Sequence, residues 1–460
     1  MINSGRYSTE LSSELSIFEE QFISDAILSK SVDPRFPITS ITDNVSAPIE
    51  FEIDGNEFAI RPRDCNIHLN ISLIGEKITT TPAAGQGVAT HTVQNVLNAA
   101  NPCTQINNIG HSLFSKITTS LGGREISTLT NYNYISYINT RLNFADNTLN
   151  SFGQLGGWFA DDPDDMDSVS ITAANSSLKV RKAWWNANGS LDLVINPFSP
   201  ILMSEKIIIP RTSLKIRLER VSDPKFYLMY PHAVANERVA YKIRINEAIF
   251  NVQRVELTPE YVIGLETMLR EKEIPVVYKL PEPQILIYNV PTLLTQFSVN
   301  NMFNGNIPPK ILVMFVAASA YNGDNTRNPF NFRNANVQSI ALYKNGIPFP
   351  QPPLATNFTS KTCALAYYTT LKSLHAPSPI APCLTFKEYL SGTTIFAYDT
   401  TPDSSGTPQL SSLINRTTNI RLEVTFSVAP IEPLVCLVYY ERDIRVSIDV
   451  GGNVAVETIF

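Results

Sequence analysis

The chain has 460 residues, 43% of them hydrophobic and 10% aromatic, which is ample for a full core, yet only 17% are charged and the formal net charge is -6. An average soluble chain carries ~25% charged residues, and a duplex-binding domain usually carries a basic patch; the short basic piece "LKVRKAWW" is no such patch, so sequence-specific nucleic-acid binding is not expected. The longest apolar run, "ILVMFVAASA" at 311–320, is too short to span a bilayer as a helix, so no transmembrane segment is expected.

Residues 9–29 read as a helix. Leu11, Leu15, Phe18 and Phe22 recur at four, three and four residues and form one apolar stripe opposite an acidic face, with Pro34 and Pro37 closing the segment. Two roles are open for it: a helix packed on its own domain, or an arm that docks on a neighbouring subunit or an internal partner. The acidic face argues against an anionic membrane surface. Glu10, Glu14, Glu19 and Glu20 leave no apolar core for a cleaved secretory signal, so the expectation is a chain made inside a cell, with sequons such as Asn70 and Asn357 unmodified.

From about residue 48 the text changes to short β runs: "IEFEID", "CNIHLNISLIG", "SKITTSLGGREIS", "SLDLVI", "EKIIIP", "SLKIRLERV" and "KIRINEAIFNVQRVEL". "PEYVIGLETMLREKE" at 259–273 is the spacing of a helix, with Thr258 as N-cap and Pro259 in its first turn. The β text then resumes with "QILIYNV", "KILVMFVAA", "VQSIALY", "TIFAYD", "NIRLEVTFSV", "LVCLVYYERD" and "IRVSIDV". Many short strands with frequent turn signals predict an all-β sandwich or barrel.

Two hairpins stand out. Asn345-Gly346 and Gly122-Gly123 each supply the two residues tolerant of positive φ that a type I′ turn requires, and Pro348, which cannot donate to a ladder, puts the returning strand of the later hairpin at a sheet edge or bends it there. Each hairpin is followed by a strand containing IRLE, in "SLKIRLERV" and again in "TTNIRLEVTF". The same order on either side of a helix predicts a tandem duplication of a β domain of roughly 200 residues.

Motifs that carry chemistry are missing: there is no GxGxxG, P-loop, HExxH, paired CxxC or GxSxG. His68, His91, His111, His232 and His375 are scattered, and His68 reads as a hydrogen-bonded structural histidine. Cys65, Cys103, Cys363, Cys383 and Cys436 are odd in number and widely spaced, which fits buried thiols better than disulfides or zinc. The acidic run "DDPDDMD" (Asp161, Asp162, Asp164, Asp165, Asp167) lacks the glycine and closing glutamate of an EF-hand and reads as a solvated loop. Trp184 and Trp185 suit either a sugar platform or a strand-end or subunit contact. No catalytic, cofactor or metal residue is assigned, and no cofactor or enzymatic activity is expected.

The run "NMFNGNIPPKILVMFVAASAYNGDNTRNPFNFRNANVQSIALYKNGIPFP", with "FKEYLSGTTIFAYDTTPD" and "NIRLEVTFSVAPIEPLVCLVYYERDIRVSID" after it, resembles the major capsid protein of Polinton (Maverick) elements and adintoviruses. "NNIGHSLFSKITTSLGGREIS" and "YNYISYINTRLNF" resemble that family's early hairpin and the tyrosine-rich helix after it. The resemblance covers residues 50–450 and leaves out the N-terminal 45 residues and the acidic loop. Copies of this capsid protein also sit in animal genomes.

The resemblance implies an all-β double jelly roll: two tandem eight-stranded antiparallel sandwiches with a few short helices, hexon-like in plan. The corresponding division is an N-terminal arm (1–46), a first jelly roll (47–257), a connecting helix (258–275) and a second jelly roll (276–460). It further implies a homotrimer with a pseudo-hexagonal outline, tiled by lateral trimer–trimer contacts into an icosahedral virion, with vertex (penton) and minor capsid proteins as partners and assembly in the nucleus or cytoplasm of a host cell. Tyr321, Phe330 and Phe332 would be aromatic anchors near a subunit contact, and the stripe Leu11, Leu15, Phe18 and Phe22 would bind a minor capsid protein or a neighbouring trimer. The alternative is a two-sandwich glycan- or receptor-binding protein, spike- or lectin-like, using Trp184, Trp185 and the Asp161 loop. A jelly-roll hydrolase would need a carboxylate pair that the sequence does not reveal.

Overall fold

The structure is a computed structural model that describes residues 26–42, 47–81, 88–94, 103–170, 176–185, 189–231, 237–303, 307–374, 384–401 and 419–458. Leu11, Leu15, Phe18 and Phe22, together with Cys383, His232 and His375, lie outside them.

The first half is built from β1 (Ile27–Arg35), β2 (Ile49–Ile53), β3 (Asn66–Thr81), β4 (Phe114–Leu121), β5 (Arg124–Thr130), β6 (Ser190–Ile195), β7 (Leu214–Arg220) and β8 (Glu237–Leu257). They form two facing antiparallel sheets, ordered β1-β8-β3-β6 and β2-β7-β4-β5. β3 is long enough to pair with β6 along Ile67–Ser72 and with a returning strand, Val88–Gln94, along Gly75–Thr81.

The second half repeats the plan with β9 (Val276–Val290), β10 (Gln296–Val299), β11 (Lys310–Ala317), β12 (Val337–Lys344), β13 (Ile347–Ala355), β14 (Phe396–Asp399), β15 (Ile420–Phe426) and β16 (Leu434–Ile448). Its sheets run β9-β16-β11-β14 and β10-β15-β12-β13, and Val454–Thr458 adds a short strand to β16. The two IRLE strands, β7 and β15, occupy the same place, each between a short edge strand and the first strand of a hairpin. The fold is a double jelly roll.

Both hairpin turns form as their residues require. Asn345 and Gly346 take φ of 51° and 82°, and Gly122 and Gly123 take 55° and 80°, the left-handed values of a type I′ turn. β13 is an edge strand, where the missing N–H of Pro348 opposes Tyr343 without breaking an interior ladder.

Strand faces follow period 2 where one side meets solvent. β15 alternates buried and half-buried along its whole length. β11 does not: all eight residues are buried. Ile311, Val313 and Phe315 point into the second sandwich, while Leu312, Met314 and Val316 join a core shared with the first half. β16 divides likewise, with Cys436 and Val438 on one side and Leu437 and Tyr439 on the other. A strand covered on both faces reads as a continuous apolar run, and this is why "ILVMFVA" and "LVCLVYY" lack alternation.

Two expectations are corrected. The helix expected over residues 9–29 does not extend through 27–29, because β1 begins at Ile27 and pairs with Leu257 at the end of β8; Pro34 sits inside this edge strand rather than closing a helix. "EKIIIP" is not a strand, since Ile208 makes only an isolated bridge to Ile60. Thr258 does stand at the N-cap of the helix Pro259–Arg270, but its side chain makes no capping bond.

Candidate assembly site: the seam between the sandwiches and the outer loops

Two further helices position the seam: α1 (Tyr132–Asn143), which follows β5, and α2 (Ser176–Ala183). The connecting helix Pro259–Arg270 is α3, and α4 (Ala364–Ser373) and α5 (Phe386–Leu390) belong to the second half. α1 is buried at every residue but Asn143, because one side faces its own sandwich and the other faces the second.

Across the seam the rings of Tyr137 and Phe330 stack at 4.1 Å with planes 9° apart. Tyr137 also meets Phe332 edge-on at 5.9 Å, and Tyr134 packs against Phe330 and Tyr321 at 5.7 and 5.8 Å. The local sequence aims these rings inward: Asn328 Oδ1 accepts the Phe330 N–H, and Phe332 and Arg333 donate their backbone N–H groups to Gly392 and Phe315 carbonyls. Phe330 and Phe332 are thus fully buried within one chain, and Tyr321 is half-buried against Tyr134. For Phe330 and Phe332 the expectation of a contact between subunits is corrected, because both are fully buried where the two halves of a single subunit meet.

A polar ring surrounds the aromatic patch. The two carboxylate oxygens of Glu388 lie 2.6 and 2.7 Å from Arg141 Nη2. Asp167 accepts from the backbone N–H of Asn328 (2.9 Å), from Asn331 Nδ2 (2.9 Å) and from Arg333 Nη2 (2.7 Å). Arg333 also pairs with Glu432. Asp161 is buried with Arg181, their side chains 1% and 0% exposed and their charged atoms 2.6 Å apart. Arg181 further donates to the carbonyls of Gln105 and Phe159, and Asp161 accepts from Asn328 Nδ2, so this buried charge pair is hydrogen-bonded on every side that the fold closes. The acidic run is therefore not simply a solvated loop: its two ends pin the second sandwich to the first, while Asp162 and Asp164, each 3.2 Å from Lys387, stand nearer solvent.

The remaining candidates resolve as structural groups. Trp185 is buried and donates its Nε1 proton to Gln105 Oε1 (2.6 Å), and Trp184 meets Phe159 edge-on at 4.6 Å. His111 lies in the core, Nδ1 2.8 Å from the Tyr132 hydroxyl, and burial pushes its imidazole down to about 3, so it stays neutral. His68 bonds Asp192 across strands at 2.6 Å. Cys65, Cys103, Cys363 and Cys436 are buried thiols outside any disulfide, and burial pushes the Cys65 thiol up to about 11. Among the described residues no three His, Cys, Asp or Glu stand together to hold a metal, and no helix is long and apolar enough to cross a membrane.

The sequence reading missed Arg141, Glu388 and the two tyrosines Tyr134 and Tyr137. The signal was present in "YNYISYINTR": a helix apolar or aromatic on more than one face is a helix covered on more than one side. Outside the seam, apolar side chains stand exposed on the loops at one end of the second sandwich. Leu293 is 79% and Ile431 90% exposed, and the Leu293 N–H donates to the Pro430 carbonyl, which holds the two loops together.

The sequence matches no protein-family model. It is 22% identical over 376 residues to an uncharacterized protein of Caenorhabditis elegans, covering 79% of this chain and 86% of that one. Three solved structures share the architecture over nearly the whole length. A chain of the Sputnik virophage, solved by cryo-EM, matches at a TM-score of 0.60 and 12% identity, covering 100% of this chain and 92% of that one. The mavirus major capsid protein matches at 0.53 and 10% (99% and 97% covered), and the Faustovirus major capsid protein at 0.56 and 8% (96% and 92% covered). The fold of this chain is the double jelly roll of virophage and giant-virus major capsid proteins.

Proposed function

We propose that the chain is a major capsid protein: three copies associate into a capsomer of pseudo-hexagonal outline, and capsomers tile an icosahedral shell. The observation that carries this reading is the seam. Two sandwiches with one strand order are welded through a shared core and a closed polar ring, so each copy presents two equivalent corners in a fixed relation. Three such blocks approximate a hexagon, which is the shape a close-packed shell needs. A binding module with a flexible pair of domains has no use for that rigidity.

The exposed loops around Leu293 and Ile431 are the candidate subunit contact, since apolar groups left at a sandwich end gain by burial against a neighbour. Vertex and minor capsid proteins are the further partners, and the virion is the location. An origin in a Polinton- or adintovirus-like element is supported by the quoted capsid-like strings and by the animal relative. The glycan-binding alternative loses its support, because Trp185 is committed to the core and Asp161 to Arg181. Negative-stain images of the purified full chain test the proposal: hexagonal particles or closed shells are expected, and a uniform population of single bilobed molecules at high concentration contradicts it.

A further inference from the structure

The connecting helix α3 is poorly packed for its composition. It carries Tyr261, Val262, Ile263, Leu265, Met268 and Leu269 in twelve residues, yet none of the twelve is buried, and Ile263 is 64% exposed. Its attachment is slight. Val262 rests on a small satellite cluster of Ala59, Val255 and Leu257, and Glu266 pairs with Arg211 at the surface. Beneath it lies a cleft of about 610 Å³ whose apolar lining includes Phe58, Leu257, Leu265 and Leu269 from the first half and the helix, and Val450 from the second. An isolated helix of this length is marginal in water, so most of its stability must come from packing an apolar face.

The chain itself supplies a cover. The first described residue, Ala26, accepts a hydrogen bond from the backbone N–H of Thr258 at 3.0 Å, so the described chain begins beside the N-terminus of α3. Those residues carry the stripe Leu11, Leu15, Phe18 and Phe22. As a helix, residues 11–22 would run about 18 Å, the same as the twelve residues of α3, and the link from Phe22 to Ala26 reaches at most about 14 Å. Both the lengths and the tether match a helix laid along α3.

We infer that residues 11–22 of the same chain dock on α3 and over the cleft beneath it, with Phe18 and Phe22 entering the apolar lining. The occupant is this chain's own segment because the Ala26–Thr258 bond starts it at the site. The inference does not depend on the capsid reading.

Hydrogen exchange on the full chain tests it. In Phe18→Ser/Phe22→Ser, amides 262–270 should exchange at least tenfold faster than in the native protein, with those of α1 unchanged; equal exchange of α3 in both proteins overturns the inference. A cysteine pair, Phe22→Cys with Ile263→Cys, decides which chain supplies the segment. A disulfide within one chain is expected. Disulfide-linked dimers, or no cross-link under oxidation, overturn it.

Discussion

Arg141 on α1 and Glu388 on α5 meet across the seam with both carboxylate oxygens within 2.7 Å of one guanidinium nitrogen, the arginine side chain 6% exposed. Glu388 also closes a capping box on Thr385, so a single carboxylate holds α5 in place and the second sandwich to the first. Removing one member of a buried pair strands the other, and Arg141→Met should cost about 3–5 kcal/mol. Arg141→Met with Glu388→Leu should recover part of that loss. Urea unfolding of the native chain, Arg141→Met, Glu388→Leu and the double variant checks it, and a double variant as unstable as the sum of its singles would show that the two residues act separately.

Gly392 is the tightest point of the acidic loop's approach. Its φ is 84°, and a Cβ there would stand 2.7 Å from Met166 Sδ and 2.9 Å from the Pro163 carbonyl oxygen. Gly392→Ala should destabilise by about 1–3 kcal/mol through overpacking and backbone strain. The loss should appear as a lowered Tm with the folded-state spectrum retained. An unchanged Tm would mean that the loop does not press on the second sandwich.

Asp443 on β16 gives the fold a pH dependence. Burial, and then the charge of Glu441, push its carboxyl up to about 6. The folded chain then holds a proton that the unfolded chain releases near pH 4, so this group's stabilising contribution is complete below pH 4 and lost as pH rises through 6. The group keeps some solvent contact, which screens the effect to about 1 kcal/mol. Asp443→Asn should therefore raise stability by that amount at pH 7.5 and leave it unchanged at pH 4. A gain of equal size at both pH values would contradict the assignment.

Much of this architecture is legible in the sequence. Asn345-Gly346 and Gly122-Gly123 state their turns outright, the repeated IRLE strands mark equivalent positions in two halves, and Pro259 opens the connecting helix. β1 was not legible, because "ILSKSVDPR" has no period-2 apolar pattern; it becomes a strand only by pairing with β8. The seam was hidden for a related reason. Asp161 and Asp167 look solvated until Arg181, Asn328 and Arg333, distant in sequence, are brought to them. Phe330 and Phe332 were recognised as anchors, but sequence does not distinguish a contact between two halves of a chain from one between chains.

The outer loops carry the oligomer prediction. Leu293→Asp with Ile431→Asp adds charge where apolar side chains stand exposed, and leaves the seam untouched. The variant should keep its fold and Tm, within about 0.5 kcal/mol for an exposed site, and lose self-association. Retained association would move the subunit contact elsewhere on the surface.

The most direct measurement is the mass of the purified native chain in solution, by light scattering coupled to size exclusion. The account predicts a species near three times 51.1 kDa, or larger assemblies built from it. A monomer that persists at the highest attainable concentration would contradict a shell built from trimers of this chain.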